Sequence, residues 1–214
     1  MAALQLPRLY PIIDAAAFAA HADPAAALIR FVQELLLGGA TLVQYRNKSV
    51  DVRQMLSQAR ELRRATYDSA KLIMNDRSDL CLAAGCDGVH LGQDDLSPAA
   101  ARQIFKAAQK EQLWIGFSTH NLEQVQQADR LPVDYIAVGP VFATASKAKP
   151  DPVIGLEGVR QARRATARPL VAIGGITRQN CREVMAAGAD SVAVISDLIA
   201  SPRKSTEEFL RILE

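Results

Sequence analysis

Residues 71–95 read KLIMNDRSDLCLAAGCDGVHLGQDD and contain the pattern that decides the fold. Two short apolar runs, Lys71 to Met74 and Gly88 to Leu91, are typical of buried strands, and the segment between them is typical of a crossover helix. Acidic side chains follow both runs directly, in Asn75-Asp76 and in Gly92 to Asp95. In a parallel α/β barrel the chemistry lies at the carboxyl ends of the strands. The stretch therefore predicts carboxylates that converge at that end.

The same alternation continues through the whole chain. Several of the apolar runs are continuous rather than alternating, as expected when helices cover one face of a strand and the other face points into a packed barrel. The length of 214 residues also suits one barrel domain. The sequence therefore predicts an α/β fold, a single (β/α)8 TIM barrel over residues 1–214. The eight predicted strands are Leu9 to Ile13, Thr41 to Gln44, Lys71 to Met74, Gly88 to Leu91, Leu113 to Phe117, Tyr135 to Val138, Leu170 to Ile173 and Ser191 to Ile195.

Helix boundaries are marked by capping residues. Asp23-Pro24 and Ser97-Pro98 each place an N-cap before a first-turn proline, which predicts helices from Ala25 to Leu37 and from Ala99 to Lys110. Gly39, Gly85 and Gly188 stand where a helix stops and the chain turns into the next strand. The crossovers between strands are therefore predicted to be helical.

Composition narrows the class of protein. A hydrophobic content of 49% with 22% charged residues indicates a globular chain, and the net charge of +2 with scattered basic residues argues against a nucleic-acid partner. The three cysteines have no CxxC spacing, which fits buried thiols in a reducing compartment. No export signal or membrane-length apolar run is visible. We predict a cytoplasmic protein that binds small molecules without a membrane; the sequence leaves its oligomeric state open.

Asp76 and Asp95 are the candidate metal ligands. Two carboxylates brought close raise each other's pKa unless a cation neutralises them, and Mg²⁺ typically takes one or two carboxylates together with phosphate oxygens. The alternative is that Asp76 caps the helix that begins near Arg77, and that Asp94 or Asp95 caps the turn before Ser97. Asp94 is expected to be a solvated neighbour.

Basic side chains follow the second predicted strand. Arg46 and Lys48 project to one side, and Tyr45 and Asn47 project away, because successive residues of a strand alternate. A guanidinium fork beside a mobile ammonium suits a pyrophosphate. The alternative for this segment is two solvent-exposed basic residues.

Two loops near the end of the chain predict a phosphate site. Ile173 to Thr177 and Val194 to Asp197 follow the seventh and eighth strands, where barrels often bind phosphate through backbone N–H groups. An ordinary tight turn would also use Gly174-Gly175. The long segment from Gly139 to Gly155 lies over the same mouth, and its residues Thr144 to Lys147 offer two hydroxyls and an ammonium to an anion.

Polar residues also follow the fifth predicted strand. Ser118 is a candidate phosphate ligand. His120 is either an acid/base or, as we favour, a structural residue at the start of the next helix. His90 is expected to be a wall or core histidine.

Taken in order, these motifs resemble the thiamine-phosphate synthase family, also called thiamine-phosphate pyrophosphorylase. The resemblance covers nearly the whole chain, and no single motif carries it. The motifs are Val43-Gln44-Tyr45-Arg46-Asn47-Lys48, Met74-Asn75-Asp76, His90-Leu91-Gly92-Gln93-Asp94-Asp95, Ser118-Thr119-His120, Gly139-Pro140-Val141-Phe142-Ala143-Thr144-Ala145-Ser146-Lys147, Ile173-Gly174-Gly175-Ile176-Thr177 and Val194-Ile195-Ser196.

The resemblance implies a transferase of thiamine biosynthesis that joins a pyrimidine diphosphate to a thiazole phosphate and releases pyrophosphate. It implies Mg²⁺ on Asp76 and Asp95. It implies a pyrimidine diphosphate site of Gln44, Tyr45, Arg46, Asn47, Lys48, Asn75, Ser118 and Lys147, with Arg46, Lys48, Ser118 and Lys147 as the catalytic residues. It implies a thiazole phosphate site of Thr144, Ala145, Ser146, Gly175, Ile195 and Ser196.

Two departures and two alternatives stand beside this resemblance. Ser146 is more often Thr in the family, and Ile13-Asp14 stands where the first strand often has Thr-Asp. A related thiazole tautomerase would use His120 and need no pyrophosphate site. A non-catalytic barrel that only binds phosphate ligands is the other alternative. The presence of Arg46, Lys48, Asp76 and Asp95 argues against both.

Overall fold

The strands of this chain close into a parallel barrel. A computed structural model describes residues 4–49, 51–144 and 151–214. The strands pair in chain order, and the first pairs with the eighth to complete the closed barrel, so the predicted (β/α)8 fold is confirmed. The strands are β1 Leu9–Asp14, β2 Leu42–Arg46, β3 Lys71–Asn75, β4 Gly88–Leu91, β5 Trp114–Thr119, β6 Tyr135–Val138, β7 Leu170–Ile173 and β8 Ser191–Val194.

A helix follows each strand. The helices are α1 Pro24–Leu37, α2 Val52–Thr66, α3 Ser78–Ala84, α4 Pro98–Ala107, α5 Leu122–Asp129, α6 Gly155–Ala165, α7 Cys181–Ala186 and α8 Pro202–Leu213, with 3₁₀ turns at Ala15–Phe18 and Ser196–Leu198. The predicted caps are confirmed, since Asp23 Oδ1 accepts from Ala26 N at 3.0 Å and Ser97 Oγ accepts from Ala100 N at 3.3 Å. Helix α4 ends before the predicted Lys110, because Gln109 has a φ of +57°.

Some strands extend further at their carboxyl ends than their apolar runs predict. Strand β2 continues to Arg46, and β5 continues to Thr119 because Ser118 and Thr119 pair with Ala137 and Val138 of β6. Polar residues therefore belong to the strands themselves at the carboxyl end of the barrel. This regular backbone fixes their direction more firmly than a loop would.

Apolar side chains form two separate layers. The larger one fills the space between the strands and the surrounding helices. The smaller one lies inside the barrel, where Leu4 and Leu6 pack against it. Its buried members are Tyr10, Ile12, Leu42, Ile73, Tyr135, Ala137, Val171 and Ala193. Two tyrosines thus occupy positions that branched aliphatic residues usually fill in a barrel interior.

The amino end of the barrel carries a repeated ion pair. Asp87, Asp134 and Asp190 each precede a strand and accept a backbone N–H from the first or second residue of the neighbouring strand, at 2.9, 2.7 and 2.8 Å. Each also pairs with an arginine of a helix, which is Arg63, Arg102 and Arg163 respectively. The like sequences Gly85-Cys86-Asp87 and Gly188-Ala189-Asp190 therefore have a common structural role, which is to join a helix end to a strand start.

None of the helices in the described ranges is long and apolar enough to cross a membrane.

Candidate active site at the carboxyl end of the barrel

One pocket opens at the carboxyl end of the barrel. It encloses about 990 Å³, including space open to solvent, and every strand contributes to its lining. Gln44, Asn75, His90 and Ser118 form part of its polar side, while Ile12 and Val171 belong to its apolar floor. The arrangement suits a ligand with one charged end and a flat, largely apolar body.

Arg46 is the last residue of β2 and Lys48 follows two residues later, and each of the two pairs with a carboxylate. Gln44 and Arg46 line the pocket. Arg46 pairs with Asp14, and Lys48 pairs with Asp76. Asp14 also caps the first 3₁₀ turn by accepting from Ala16 N at 3.1 Å. The first strand therefore supplies a carboxylate that holds the guanidinium at the mouth.

Tyr45 and Asn47 lie on the other side of β2. Tyr45 is fully buried in the outer apolar layer, and its hydroxyl donates to Gln58. Asn47 donates to the Tyr45 hydroxyl at 3.0 Å and to Gln58 Oε1 at 3.1 Å. Burial raises the pKa of Tyr45 to about 12. Neither side chain lines the pocket, as the alternation along the strand predicts, so both fix β2 against α2 instead of contacting the pocket.

Asp76 is held at the mouth by its backbone. Its φ is +63°, in the left-handed region that Asp and Asn tolerate better than most residues. Its N–H donates to His90 O at 2.8 Å across the β3–β4 pair. Asp76 does not cap α3, because Arg77 occupies the N-cap position and makes no side-chain capping bond. The capping alternative is therefore wrong for this residue.

The ion pair with Lys48 compensates the Asp76 carboxylate only in part. Burial raises the pKa of this carboxyl to about 6, with Lys48 opposing the rise and the neighbouring Asp95 carboxyl adding to it. Two carboxylates that disfavour each other's ionisation make a ready position for a cation.

Asp95 is fixed by a backbone contact. Its Oδ2 accepts from Gly92 N at 2.7 Å, and the cap of α4 is supplied by Ser97. Asp94 is exposed, as expected of a solvated neighbour. Over residues 4–49, 51–144 and 151–214, no group of three or more His, Cys, Asp and Glu side chains is placed to hold a metal ion. Two carboxylates still match the few protein ligands that Mg²⁺ needs when a polyphosphate supplies the rest.

The polar residues of β4 and β5 contact each other inside the barrel. His90 is 8% exposed and lines the pocket, as expected of a wall histidine, with its Nε2 at 2.8 Å from Ser118 Oγ. His120 Nδ1 lies 2.9 Å from Gly139 O and 3.5 Å from Asp151 Oδ2, and its backbone N–H donates to Gln124. His120 thus ties β5 to the start of the long loop.

The loops after β7 and β8 bring backbone to the opposite side of the mouth. Gly174 and Gly175 have φ values of +100° and +64°. A Cβ at Gly175 would lie 2.5 Å from Ala143 O, so the close approach of the two loops requires glycine there. Gly175, Ile195 and Ser196 all line the pocket.

An ion pair joins these two loops behind the pocket. Arg178 donates to Asp197 through its backbone N at 2.9 Å and through its side-chain Nε at 3.0 Å. Arg178 also pairs with Glu208 of α8. The spacing between the Gly175 and Ser196 segments is therefore fixed by side chains outside the pocket.

The long loop is only partly described. Thr144 lines the pocket beside Gly174 and Gly175. The other predicted residues of this loop, Ala145, Ser146 and Lys147, lie outside the described residues. The start of the loop is fastened to β7, since Val141 N donates to Ile173 O at 2.9 Å, and its two described ends are joined, since Ile154 N donates to Pro140 O at 2.9 Å.

Asp14, which pairs with the pocket residue Arg46, and Tyr10, which lines the pocket, were not singled out from the sequence. Asp14 was noted only as part of the first strand's end, and the charge following an apolar run was the available signal. Tyr10 lines the pocket from the middle of what reads as an ordinary buried strand, and nothing local distinguishes it. Both depend on contacts between strands far apart in sequence.

Comparisons with known proteins agree with this geometry. Residues 9–198 match the model of a family described as thiamine monophosphate synthase. The chain is 55% identical to a thiamine-phosphate synthase of Koribacter versatilis over 98% of this chain and 97% of that protein. A thiamine-phosphate synthase of Chloroflexus aurantiacus is 43% identical over 91% of this chain and 86% of its own length.

A solved structure gives the same result for the fold. The thiamine phosphate pyrophosphorylase from Pyrococcus furiosus superposes with a TM-score of 0.82 and is 36% identical, covering 96% of this chain and 95% of its own. Sequence and backbone therefore agree over nearly the whole length. The chain belongs to the thiamine monophosphate synthase family of enzymes.

Proposed function

We propose that this chain joins 4-amino-2-methyl-5-hydroxymethylpyrimidine diphosphate to a thiazole phosphate, giving thiamine phosphate and pyrophosphate. With a carboxylated thiazole, CO₂ would be released as well. The observation that carries the proposal is that Asp76, directly after the pocket residue Asn75, pairs with Lys48 and interacts with Asp95, while Arg46 lines the pocket itself. Such a set suits a polyphosphate with its cation. As an enzyme of thiamine biosynthesis, the protein is expected in the cytoplasm.

The β2–β5 side of the mouth is assigned to the pyrimidine diphosphate. Arg46 can bind two phosphate oxygens at once, and Lys48 adds a mobile positive charge. Asn75 supports this assignment, because its buried Nδ2 has no hydrogen-bond partner among the described residues and it lines the pocket. A buried donor without a partner is costly unless a ligand accepts from it. Ser118 and Lys147 complete the proposed set.

The metal is assigned to the carboxylate pair. Asp76 and Asp95 would hold Mg²⁺ together with oxygens of the diphosphate. The raised pKa of Asp76, to about 6, supports this, since burial and the neighbouring Asp95 disfavour its charge even beside Lys48. Bound there, Mg²⁺ would neutralise charge on the leaving pyrophosphate.

The β7–β8 side is assigned to the thiazole phosphate. Gly175, Ile195 and Ser196 bring backbone to the pocket, and Thr144 adds a hydroxyl. Backbone N–H groups in such loops bind phosphate in many barrels. Between the two anion sites, Ile12, Val171 and Ala193 provide an apolar floor for flat rings. Ala145 and Ser146 remain part of the proposal.

The chemistry requires little more than positioning and charge. The bond between the pyrimidine methylene carbon and the pyrophosphate oxygen breaks, and its electron pair leaves with the oxygen. The electron-rich aminopyrimidine stabilises the resulting cation. The thiazole ring nitrogen then supplies the pair for the new C–N bond. Arg46, Lys48, Ser118 and Lys147 stabilise the departing anion, and the pocket walls hold the two rings in line.

The test is to supply the purified protein with both substrates and Mg²⁺. We expect thiamine phosphate and pyrophosphate in equal amounts, measured by chromatography and a coupled phosphate assay, and little product in chelator. Tight binding of both substrates without product would support a non-catalytic barrel instead. If the chain isomerises a thiazole phosphate, and His120→Ala abolishes that activity while Arg46→Ala does not, the tautomerase function would replace the synthase function.

A further inference from the structure

A chain of five hydrogen-bonded side chains crosses the barrel interior beneath the pocket. Gln44 Nε2 donates to Tyr10 Oη at 3.0 Å, and Tyr10 Oη lies 2.9 Å from Tyr135 Oη. Tyr135 Oη lies 3.1 Å from His90 Nδ1, and His90 Nε2 lies 2.8 Å from Ser118 Oγ. The five residues come from five different strands.

Packing alone does not explain why these five side chains are polar. Tyr10 and Tyr135 are 1% and 0% exposed, and a phenylalanine would fill nearly the same volume without a polar group to satisfy. The interior even makes room for one of the rings. A Cβ at Gly116 would lie 2.1 Å from Tyr135 Cζ, so glycine at this position allows the tyrosine to fit. The polar connections themselves are therefore the feature to explain.

The hydrogen bonds between these five side chains run in one direction. Burial raises the pKa of both tyrosine hydroxyls above their usual value, so each stays neutral and has one proton to donate. The Gln44 amide nitrogen can only donate. Because Tyr10 Oη already accepts from Gln44, the order that uses every hydroxyl proton runs from Tyr10 to Tyr135 and from Tyr135 to His90 Nδ1. In this order a neutral His90 carries its proton on Nε2 and donates it to Ser118 Oγ.

The last member faces the pocket. Because Ser118 Oγ accepts from His90, its own proton is free to point to another acceptor. Gln44, Tyr10, His90 and Ser118 line the pocket, whereas Tyr135 lies beneath it and does not. Any effect of the Tyr135 hydroxyl on a ligand must therefore pass through its neighbours.

We propose that Tyr135 is a positioning residue, which holds His90 in the Nε2–H tautomer and thereby turns the Ser118 hydroxyl into a donor toward an anionic oxygen in the pocket. The identity of that oxygen, on the departing pyrophosphate, rests on the proposed function. The hydrogen-bond order itself does not.

The order can be measured without activity. The chain has three histidines, so ¹⁵N-histidine labelling gives a simple spectrum in which His90→Gln assigns the His90 signals. In the wild type we expect a protonated Nε2 and an unprotonated Nδ1, and in Tyr135→Phe a mixture of both tautomers. A wild-type His90 with its proton on Nδ1 would overturn the proposal, whatever reaction the protein catalyses.

A double-mutant cycle tests the path to the ligand. We expect Tyr135→Phe to lower kcat about 10-fold, the scale of one well-placed hydrogen bond, with KM for either substrate changed less than about twofold. In a Ser118→Ala background the same change should have almost no further effect. A full 10-fold loss in that background would mean that Tyr135 does not act through Ser118, and would overturn the proposal.

The control removes a buried hydroxyl away from the pocket. Thr66 is fully buried at the end of α2, near the amino end of the barrel, and its Oγ1 donates to Leu62 O at 3.0 Å. Thr66→Val should leave kcat and the His90 spectrum unchanged. If it lowered kcat as much as Tyr135→Phe, the loss would reflect general destabilisation, and the proposed positioning role would be rejected.

Discussion

The two ends of this barrel treat their aspartates in opposite ways. At the amino end, Asp87 accepts from Leu72 N at 2.9 Å and pairs with Arg63 and Lys71. At the carboxyl end, Lys48 is the one cationic partner of Asp76 among the described residues, and the pKa of Asp76 rises to about 6 through burial and the nearby Asp95. The charge of Asp87 is satisfied within the protein, whereas Lys48 only partly compensates the Asp76 and Asp95 carboxylates. Charge alone thus distinguishes structural from functional acids poorly, whereas the partners of each charge distinguish them well.

The largest expected effect comes from removing one charge at each end. Asp76→Asn keeps a residue that tolerates the φ of +63° but loses the negative charge. We expect kcat to fall at least about 10²-fold, as for loss of one preorganised electrostatic group. The free energy of unfolding in the absence of substrate should not decrease, because the folded state disfavours this charge.

Asp87→Asn is the matched change at the amino end. It should lower the free energy of unfolding by about 1–2 kcal/mol, since a buried N–H and two cations lose a charged partner. Below the unfolding transition kcat should be unchanged. Steady-state kinetics and urea denaturation of Asp76→Asn and Asp87→Asn measure the difference between the two ends. If both variants lost the same stability and had the same kcat, the proposed difference between the two ends would be wrong.

A smaller effect is expected from glycines with similar backbone angles at the two ends. Gly175→Ala would place Cβ 2.5 Å from Ala143 O, so the β7 loop must shift. We expect KM for the thiazole phosphate to rise about 10-fold, the equivalent of one lost hydrogen bond, while KM for the pyrimidine diphosphate stays within about twofold.

Gly85→Ala is the control for backbone strain. Gly85 has a φ of +70°, and nothing lies within 4 Å of a Cβ there. This variant should lose about 1–2 kcal/mol of stability and retain both KM values. Initial-rate measurements at varied concentrations of each substrate separate the two cases. A rise in KM for the pyrimidine diphosphate in Gly175→Ala would place the wrong ligand at this loop.

The smallest effect concerns the partner of Arg46. Asp14→Asn keeps the side-chain oxygen that caps Ala16 N but removes the charge paired with the guanidinium. A partly exposed ion pair contributes about 1 kcal/mol, so kcat/KM for the pyrimidine diphosphate should fall about 5-fold. Measurement at low and high salt checks the cause, because an electrostatic loss should shrink at high ionic strength. An unchanged kcat/KM would show that Asp14 serves only as a cap.

Most of the fold could be predicted from local sequence signals. Apolar runs predicted all eight strands, because parallel strands buried on both faces cannot accommodate charge. Asp23-Pro24 and Ser97-Pro98 predicted helix starts, because their capping contacts lie within three residues. The early end of α4 was missed, since a non-glycine residue at positive φ, Gln109, has no reliable sequence signal.

The positions of site residues were predictable where they depend on a single strand. Alternation along β2 placed Arg46 on the pocket side and Tyr45 on the helix side. The contacts of Asp14 with Arg46 and of His90 with Tyr135 were not predictable, because they join residues 32 and 45 positions apart. Such pairs depend on the register between strands, which a single sequence does not specify.

The pairing order of the strands has a consequence for assembly. Seven of the eight pairings join strands that follow each other along the chain, and only β1 with β8 joins distant segments. Successive βα units can therefore form before the ring closes, because each new strand needs only its predecessor along the chain as a partner. The pocket needs residues from β1 and β8 together. Ligand binding should therefore emerge only in the last kinetic step, when the ring closes, and a refolding experiment would detect it after most helical signal has returned.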